Sequence, residues 1–352
     1  MRTRTPGRSA AIPMITTAMI MRMYWGLSLD FPYPLNATWL CPIVGLVIYL
    51  PFAFALRQAA TLGNSSPWET LSRRTHGPIM NVIALGFALV LIYDAASTVQ
   101  LMALSSNVLA LNDVSPSLLI LPLALVILCA VALGADALGN SARLWLRALP
   151  VFLIIILLVQ FRNYEFGWVT PILGGGTTSI VSGGVYCAGC MALISLPWLL
   201  AVPDRYAGRL LPWTTLAAAA TALLMLSQQL LIPAMIGVEL NVAARIDLIL
   251  NNGRMTLSPQ IILDVLWFGN MLYLISVEAV SAAEFARTVQ PKFPILPLAA
   301  VIALLVGFTA AQNGAWLHAN PVVICNLYAS IGAALALMLL IAVFRKRGGR
   351  TA

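Results

Sequence analysis

Apolar residues fill this chain in ten long runs separated by short polar stretches. The runs cover roughly 9–28, 39–57, 78–105, 116–135, 147–162, 177–201, 211–233, 260–283, 294–311 and 322–344. About 20 apolar residues suffice for a helix to cross a bilayer. No stretch between the runs is polar enough to form a soluble domain. The pattern therefore predicts one all-α polytopic membrane domain over residues 1–352, with about ten transmembrane helices.

The runs divide into two sets of five, 9–162 and 177–344. Their starts follow one another with nearly the same spacing in both sets. An odd number of spans per set makes the second set enter the membrane in the opposite sense, so the spacing predicts a 5+5 inverted repeat. The first run lacks an Ala-x-Ala-type cleavage site and is followed by further spans, so it is read as a span and not a signal peptide.

Run six is unlike the others. From Gly174 to Pro203 it is long enough to cross the bilayer, yet it carries Gly183, Gly184 and Gly189, with Ser182, Tyr186, Cys187 and Cys190 among them. Glycine holds a helix poorly. Unwound backbone at membrane depth is tolerated only where it is buried in protein or lines a wet cavity. The stretch reads either as an interrupted helix around a substrate site or as a small-residue seam for close helix packing. Its inverted-repeat partner, run one, holds Pro13, Thr16, Thr17 and Arg22 and is expected to be interrupted as well.

Composition and charge sharpen this picture. The chain is 61% hydrophobic and 9% charged, against about a quarter charged in a soluble domain. Arg2, Arg4, Arg8, Arg57, Arg73, Arg74, Arg143, Arg147, Arg205, Arg209, Arg287, Lys292, Arg345, Lys346, Arg347 and Arg350 fall on one set of flanks. Only Arg162, Arg245 and Arg254 fall on the other. This positive-inside bias predicts both termini in the cytoplasm and an even number of spans. The net charge of +8 is spread over these loops, not gathered on a soluble face, so nucleic acid is not expected as a partner. The longest outer loop, about 234–259, holds Glu239, Arg245, Asp247 and Arg254 and is placed to cap a vestibule. Ser66-Pro67-Trp68-Glu69 predicts the start of a short interfacial helix before run three.

Ionisable groups inside the bilayer are costly and are functional candidates by default. Asp94 in run three and Asp264 and Glu278 in run eight qualify. Asp94, Ser97, Thr98, Leu101 and Ser105 share one helical face; Asp264, Phe268, Met271, Ile275 and Glu278 share another. Such carboxylates bind the ammonium of a small zwitterion, carry a coupling proton, or stabilise packing through a neighbouring hydroxyl. Arg22 is the one basic residue in the interior of a run, away from its end positions. It is expected to snorkel to the outer surface, with a pair to one of the acids as the alternative. The candidate ligand-binding residues are thus Thr16, Thr17, Asp94, Thr98, Gly183, Gly184, Tyr186, Gly189 and Glu278.

Other chemistry finds no support. Cys187-Ala-Gly-Cys190 lacks the two further ligands of a zinc site, and a redox pair belongs in a soluble βαβ context. His76 and His318 lie in loops on opposite sides. Gly174-Gly175-Gly176 lacks the Lys-Ser/Thr of a phosphate loop, and no serine stands in a nucleophile elbow. No enzyme activity, metal or cofactor is expected.

Five stretches carry a resemblance. Asn36-Ala37-Thr38-Trp39 precedes run two, and Leu62-Gly63-Asn64-Ser65 with Glu69 and Gly77 precedes run three. Val114-Ser115-Pro116-Ser117 opens run four, and Ala142-Arg143 with Pro150 links runs four and five. Thr170-Pro171-Ile172-Leu173 leads into run six, which ends in Leu196-Pro197-Trp198. In order and spacing these resemble the spore germination permease family, the B-type subunits of nutrient germinant receptors, within the amino acid–polyamine–organocation transporter superfamily. The chain departs where the family often has Phe-Gly-Glu in run six, for Ala188-Gly189-Cys190 stands here without an acid. The Pro-Gly-Lys of the loop before run three is also altered.

The resemblance implies a leucine-transporter-like fold with helices 1 and 6 interrupted. It implies a small nutrient, such as an amino acid, bound at mid-membrane between spans 1, 3, 6 and 8. It further implies an A-type membrane subunit and a C-type lipoprotein as partners in the inner spore membrane. A proton-coupled amino acid permease and a scaffold subunit with a vestigial pocket are the alternatives.

Overall fold

The computed structural model describes residues 7–27, 35–60, 66–72, 77–109, 116–160, 164–170, 176–202, 210–231 and 257–312. Helices occupy the first nine of the ten runs. They are α1 (Arg8–Trp25), α2 (Cys41–Ala60), the short α3 (Pro67–Ser72), α4 (Gly77–Leu109), α5 (Pro116–Leu133), α6 (Ala135–Gln160), α7 (Thr177–Ile194), α8 (Leu210–Leu231), α9 (Leu257–Val289) and α10 (Ile295–Gln312). Run 322–344 and the loop 234–256 lie outside the described residues.

Four stretches among the described residues are long and apolar enough to cross a membrane by themselves: Asn36–Arg57, Pro78–Val99, Thr177–Leu199 and Leu210–Ser227, with mean hydropathy of 1.6 to 2.1. Their outward faces carry large apolar side chains, among them Val47, Phe54, Val82, Leu89, Leu216 and Leu223. A lipid-facing surface has this composition; a water-soluble protein rarely exposes so much. The chain is an integral membrane protein.

The helices pack as an inverted repeat. The repeat relates α1 to α7, α2 to α8, α4 to α9 and α5 to α10. The contact of α2 with α7 has its counterpart in α8 with α1, and that of α4 with α10 has its counterpart in α9 with α5. The pairs that the relation maps onto themselves, α1–α7, α2–α8, α4–α9 and α5–α10, are also in contact.

Two helices sit at the centre. α1 is buried on every side except at Ser9 and Tyr24, and Met14, Met19, Met21 and Met23 fill the space around it. A helix apolar all round belongs inside a bundle, and flexible methionines fit its irregular gaps. Its repeat partner α7 is enclosed from Tyr186 to Ile194.

The interruptions of the two central helices lie elsewhere than the glycines and prolines suggest. α7 runs unbroken through Gly183, Gly184 and Gly189. It gives way at Ser195, where a tighter turn, Leu196–Leu199, takes over. Pro197 explains the position. It brings no N–H to bond Leu193, and its ring disfavours helical geometry at Leu196. Ser195 terminates the helix, its N–H bonding Met191 O and its hydroxyl donating to Ala192 O at 2.8 Å. α1 likewise continues past Pro13, Thr16 and Thr17 and changes only at Gly26-Leu27, where the turn widens.

The fifth span also differs from expectation. Its helix begins at Ala135, directly after Gly134, whose φ of +79° suits glycine. Chain direction turns there by 105°. Gly139 then lies on Ala10, where an added Cβ would stand 2.5 Å from the Ala10 carbonyl oxygen. Helix α3 starts as expected, with Ser66 Oγ accepting from Glu69 N and Pro67 in first position. Trp68 pins it to the bundle edge-on against Phe87 of α4 and Phe285 of α9, at 6.1 and 5.3 Å between ring centres.

Candidate ligand and ion site

The charged side chains inside the bundle converge. Arg22, near the end of α1, is 1% exposed and does not reach outward. Its guanidinium Nη2 lies 2.9 Å from Asp94 Oδ1, and its Nε donates to the same carboxylate at 3.1 and 3.3 Å. This two-pronged geometry is the strong form of an Arg–carboxylate pair. The expectation that Arg22 snorkels is therefore corrected. A guanidinium this far inside the protein finds its counter-charge on α4, and breaking a buried pair costs more than bending a side chain outward gains.

Glu278 of α9 completes the cluster. It is 0% exposed and faces Asp94, with Arg22 also close. The two carboxyls lie within side-chain hydrogen-bonding reach, yet neither Glu278 oxygen meets a donor among the described residues. Two ionised carboxylates have only acceptors to offer each other. A shared proton, or an arriving cation, is what turns this contact into a bond.

Tyr186 of α7 supplies the fourth wall. Its ring lies under the Arg22 guanidinium at 6.0 Å, the outer reach of a cation–π contact. Its hydroxyl presses on Gly26, and an added Cβ at Gly26 would collide with it. Gly26 is thus needed for a close approach at the point where α1 changes its winding. Spans 1, 3, 6 and 8 meet here, in α1, α4, α7 and α9.

The remaining candidates sort by what they touch. Thr16 donates to Ile12 O at 2.9 Å and Thr98 to Asp94 O at 3.1 Å, so both hydroxyls are used within their own helices. Thr17 is fully buried, and its hydroxyl meets no partner among the described residues. Gly184 faces away from the cluster. A Cβ there would meet Val44 of α2, while one on Gly45 would stand 2.5 Å from Cys187 Cβ and 2.9 Å from Gly184 O. Gly45, Gly184 and Cys187 form a close-packed seam, so of the two readings of Gly184 the seam is the one its contacts match. Gly183 and Gly189 are buried within the same helix. The side chain of Asp264 lies outside the described residues.

Sequence reasoning left two residues off the site, Arg22 and Gly26, and left Gly45 off the seam. Arg22 was findable as the single cation in the interior of any run, set against acids on two others. Nothing along the chain marks Gly26 or Gly45, whose neighbours are distant in sequence.

At the arginine-rich end of the bundle the first turn of α1 is tied down. Arg8 N donates to Val202 O at 3.1 Å, and its guanidinium lies over the Trp198 ring at 5.1 Å. Arg143 of α6 donates to Ser9 O at 2.7 Å. Between α1, the Leu196–Leu199 turn and α9 lies a cleft of about 10 Å³, lined by Met14, Ala135, Pro197, Leu200, Val280, Ser281 and Glu284.

Comparison with known proteins adds the fold. No protein-family model matches the sequence, and no curated protein matches it. Solved structures do. The chain superposes on Mhp1, a nucleobase-cation-symport-1 family transporter in a closed conformation with bromovinylhydantoin bound. The TM-score is 0.62 at 16% identity, over 96% of this chain and 78% of that one. A mutant of the manganese transporter of Eremococcus coleocola superposes with a TM-score of 0.52 at 15% identity, over the same shares. The chain therefore has the leucine-transporter-like inverted-repeat fold.

Proposed function

We propose that this chain binds a small nutrient, an amino acid above all, where α1, α4, α7 and α9 meet, and that it is the ligand-sensing B-type subunit of a spore nutrient germinant receptor. One observation carries the binding reading. Three ionisable side chains from three helices are gathered out of reach of solvent, and one of them, Glu278, meets no donor among the described residues. In lipid such a cluster is expensive, and packing alone gives no reason to keep it. The likeness in fold to solute transporters supports the same reading. The germinant-receptor role rests on the five loop and span stretches quoted above, and with it the A-type and C-type partners and the inner spore membrane; the cytoplasmic placement of both termini rests on the positive-inside bias.

The chemistry suits a zwitterion. A ligand carboxylate can replace Asp94 on Arg22, whose planar fork binds carboxylates through two parallel bonds. Asp94 then turns with Glu278 to the ligand ammonium. A zwitterion brings no net charge, so the charge of the cluster is the same before and after, which limits the cost of the exchange in a low dielectric.

The test is a thermal-shift screen of the purified protein against amino acids, with sugars and nucleosides as controls. A ligand at about 100 times its Kd adds about 2.7 kcal/mol of apparent stability. A saturable shift with amino acids that disappears in Glu278→Gln supports the reading. No shift from a well-folded sample points to the scaffold alternative, or to a site completed by a partner subunit.

A second reading has its own support. The carboxyl-to-carboxyl contact of Asp94 with Glu278 is what a proton-coupled amino acid permease would use. Uptake into proteoliposomes driven by a pH gradient would distinguish it from a sensor that moves nothing.

A further inference from the structure

α9 carries a stripe of three polar residues at intervals of three, Glu278, Ser281 and Glu284. Six helical residues rise about 9 Å, so the stripe leads from the buried cluster toward the arginine-rich end of the bundle. Its inner end is Glu278, fully buried and, among the described residues, without a donor on either oxygen. Its outer end is Glu284, partly buried, with Arg287 at 3.9 Å and Asp136 of α6 nearby. The groups facing Glu278 are Asp94 of α4 and Arg22 of α1. Of the other helices packed on α9, α5 and α10 carry no charged residue, and α6 carries Asp136, Arg143 and Arg147.

Ser281 and Glu284 both line the cleft of about 10 Å³. That is about the room one water needs. The rest of its wall is apolar, from Met14, Pro197, Leu200 and Val280. Ser281 donates to Val277 O at 2.6 Å, which leaves its oxygen as an acceptor for a water. The cleft has room for one water beside Ser281 and Glu284, and Glu278 stands three residues from Ser281 along the same helix.

We infer that Glu284 and Ser281 form a proton route between the arginine-rich end of the bundle and Glu278. The inference rests on the proton-coupled reading above and gives it a path. In the inward step, the Glu284 carboxyl gives a proton to a water held on Ser281, and that water releases a proton to the Glu278 carboxylate. Glu284 remains as a carboxylate beside Arg287 and is reprotonated from bulk water. No electron moves, and the water is regenerated. The proton on Glu278 supplies the donor that its contact with Asp94 lacks.

The experiment is a pH jump on the full-length protein in lipid nanodiscs, followed by time-resolved infrared absorption of protonated carboxyl groups. Wild-type protein is expected to show a carboxyl carbonyl band that Glu278→Gln removes. In Glu284→Gln that band should remain but fill at least about tenfold more slowly, a modest share of what a positioned proton donor contributes. Glu284→Asp should restore much of the rate. A band that Glu278→Gln removes but that fills at the wild-type rate in Glu284→Gln overturns the route and leaves Glu278 as the proton site. A spectrum with no band sensitive to Glu278→Gln overturns both. If Glu284→Gln does not fold, Ser281→Val is read in the same way: slowed filling supports the route and an unchanged rate overturns it.

Discussion

Two interfaces hold this bundle by opposite means. Where α2 meets α7, Gly45, Gly184 and Cys187 let two backbones approach until there is no room for a further carbon. Where α1, α4 and α9 meet, the helices are joined by Arg22, Asp94 and Glu278. The seam uses dispersion and shape, which act in lipid as they do in water. The cluster uses charge, which lipid makes costly to bring in and costlier to leave unpaired. Interfaces of the first kind stabilise a bundle in one arrangement. Interfaces of the second kind respond to whatever brings or removes a charge, and the binding reading belongs there.

The sharpest way to break the comparison is to remove the cation. Arg22→Met leaves Asp94 and Glu278 buried together without a counter-charge, and should cost about 3–5 kcal/mol. The double variant Arg22→Met/Asp94→Leu should recover most of that, because an apolar pair of similar volume replaces an ionic one. Unfolding of the detergent-solubilised variants measures both. If the single variant is no less stable than the double, the pair does not hold the helices.

The seam should answer more mildly and without chemistry. Gly184→Val drives a branched side chain into Val44, and overpacking of this kind costs about 1–3 kcal/mol. Because Gly184 faces α2 and not the cluster, the folded fraction should bind ligand with unchanged affinity in an isothermal titration. A selective loss of affinity would return Gly184 to the site.

Gly26→Ala tests the border between the two regions. It forces Tyr186 off its place below Arg22, and ligand affinity should fall about tenfold, or 1.4 kcal/mol, beyond any loss of thermal stability. The smallest effect is expected at Thr17→Val. The shape is kept and a buried hydroxyl without a partner is removed, so stability should rise by up to about 1 kcal/mol. A loss of binding in Thr17→Val at undiminished stability would show that this hydroxyl serves the ligand.

Much of the candidate site was legible along the chain. Asp94 and Glu278 stand out because an acid within an apolar run needs a reason, and Tyr186 because it lies in the weakest helix former of the ten runs. The glycines left two readings open. A glycine lowers helix propensity by about 1 kcal/mol, so three in one run read either as a break or as a packing seam. Propensity is local, however, and α7 is held by its neighbours: Val44 and Gly45 of α2 occupy the space that side chains at Gly184 and its surroundings would have taken. The break fell instead at Pro197, a residue whose covalent structure removes a donor whatever surrounds it. Arg22 misled for a similar reason. From sequence alone its distance to the outer surface could be guessed, but the distance to Asp94, 72 positions away, could not.

What the chain determined by itself is the part that depends on solvent and covalent geometry. Ten apolar runs choose the membrane, their inverted spacing follows from an odd count per half, and Pro197 sets a turn through the donor it lacks. What only the tertiary structure decided is which residues meet. Arg22 with Asp94, inside the first repeat, and Glu278 with Asp94, Tyr186 with Gly26 and Gly45 with Gly184, across the two repeats, are all contacts between helices. Pairing energies of this kind depend on distance and burial, and neither is a property of any stretch of sequence read alone.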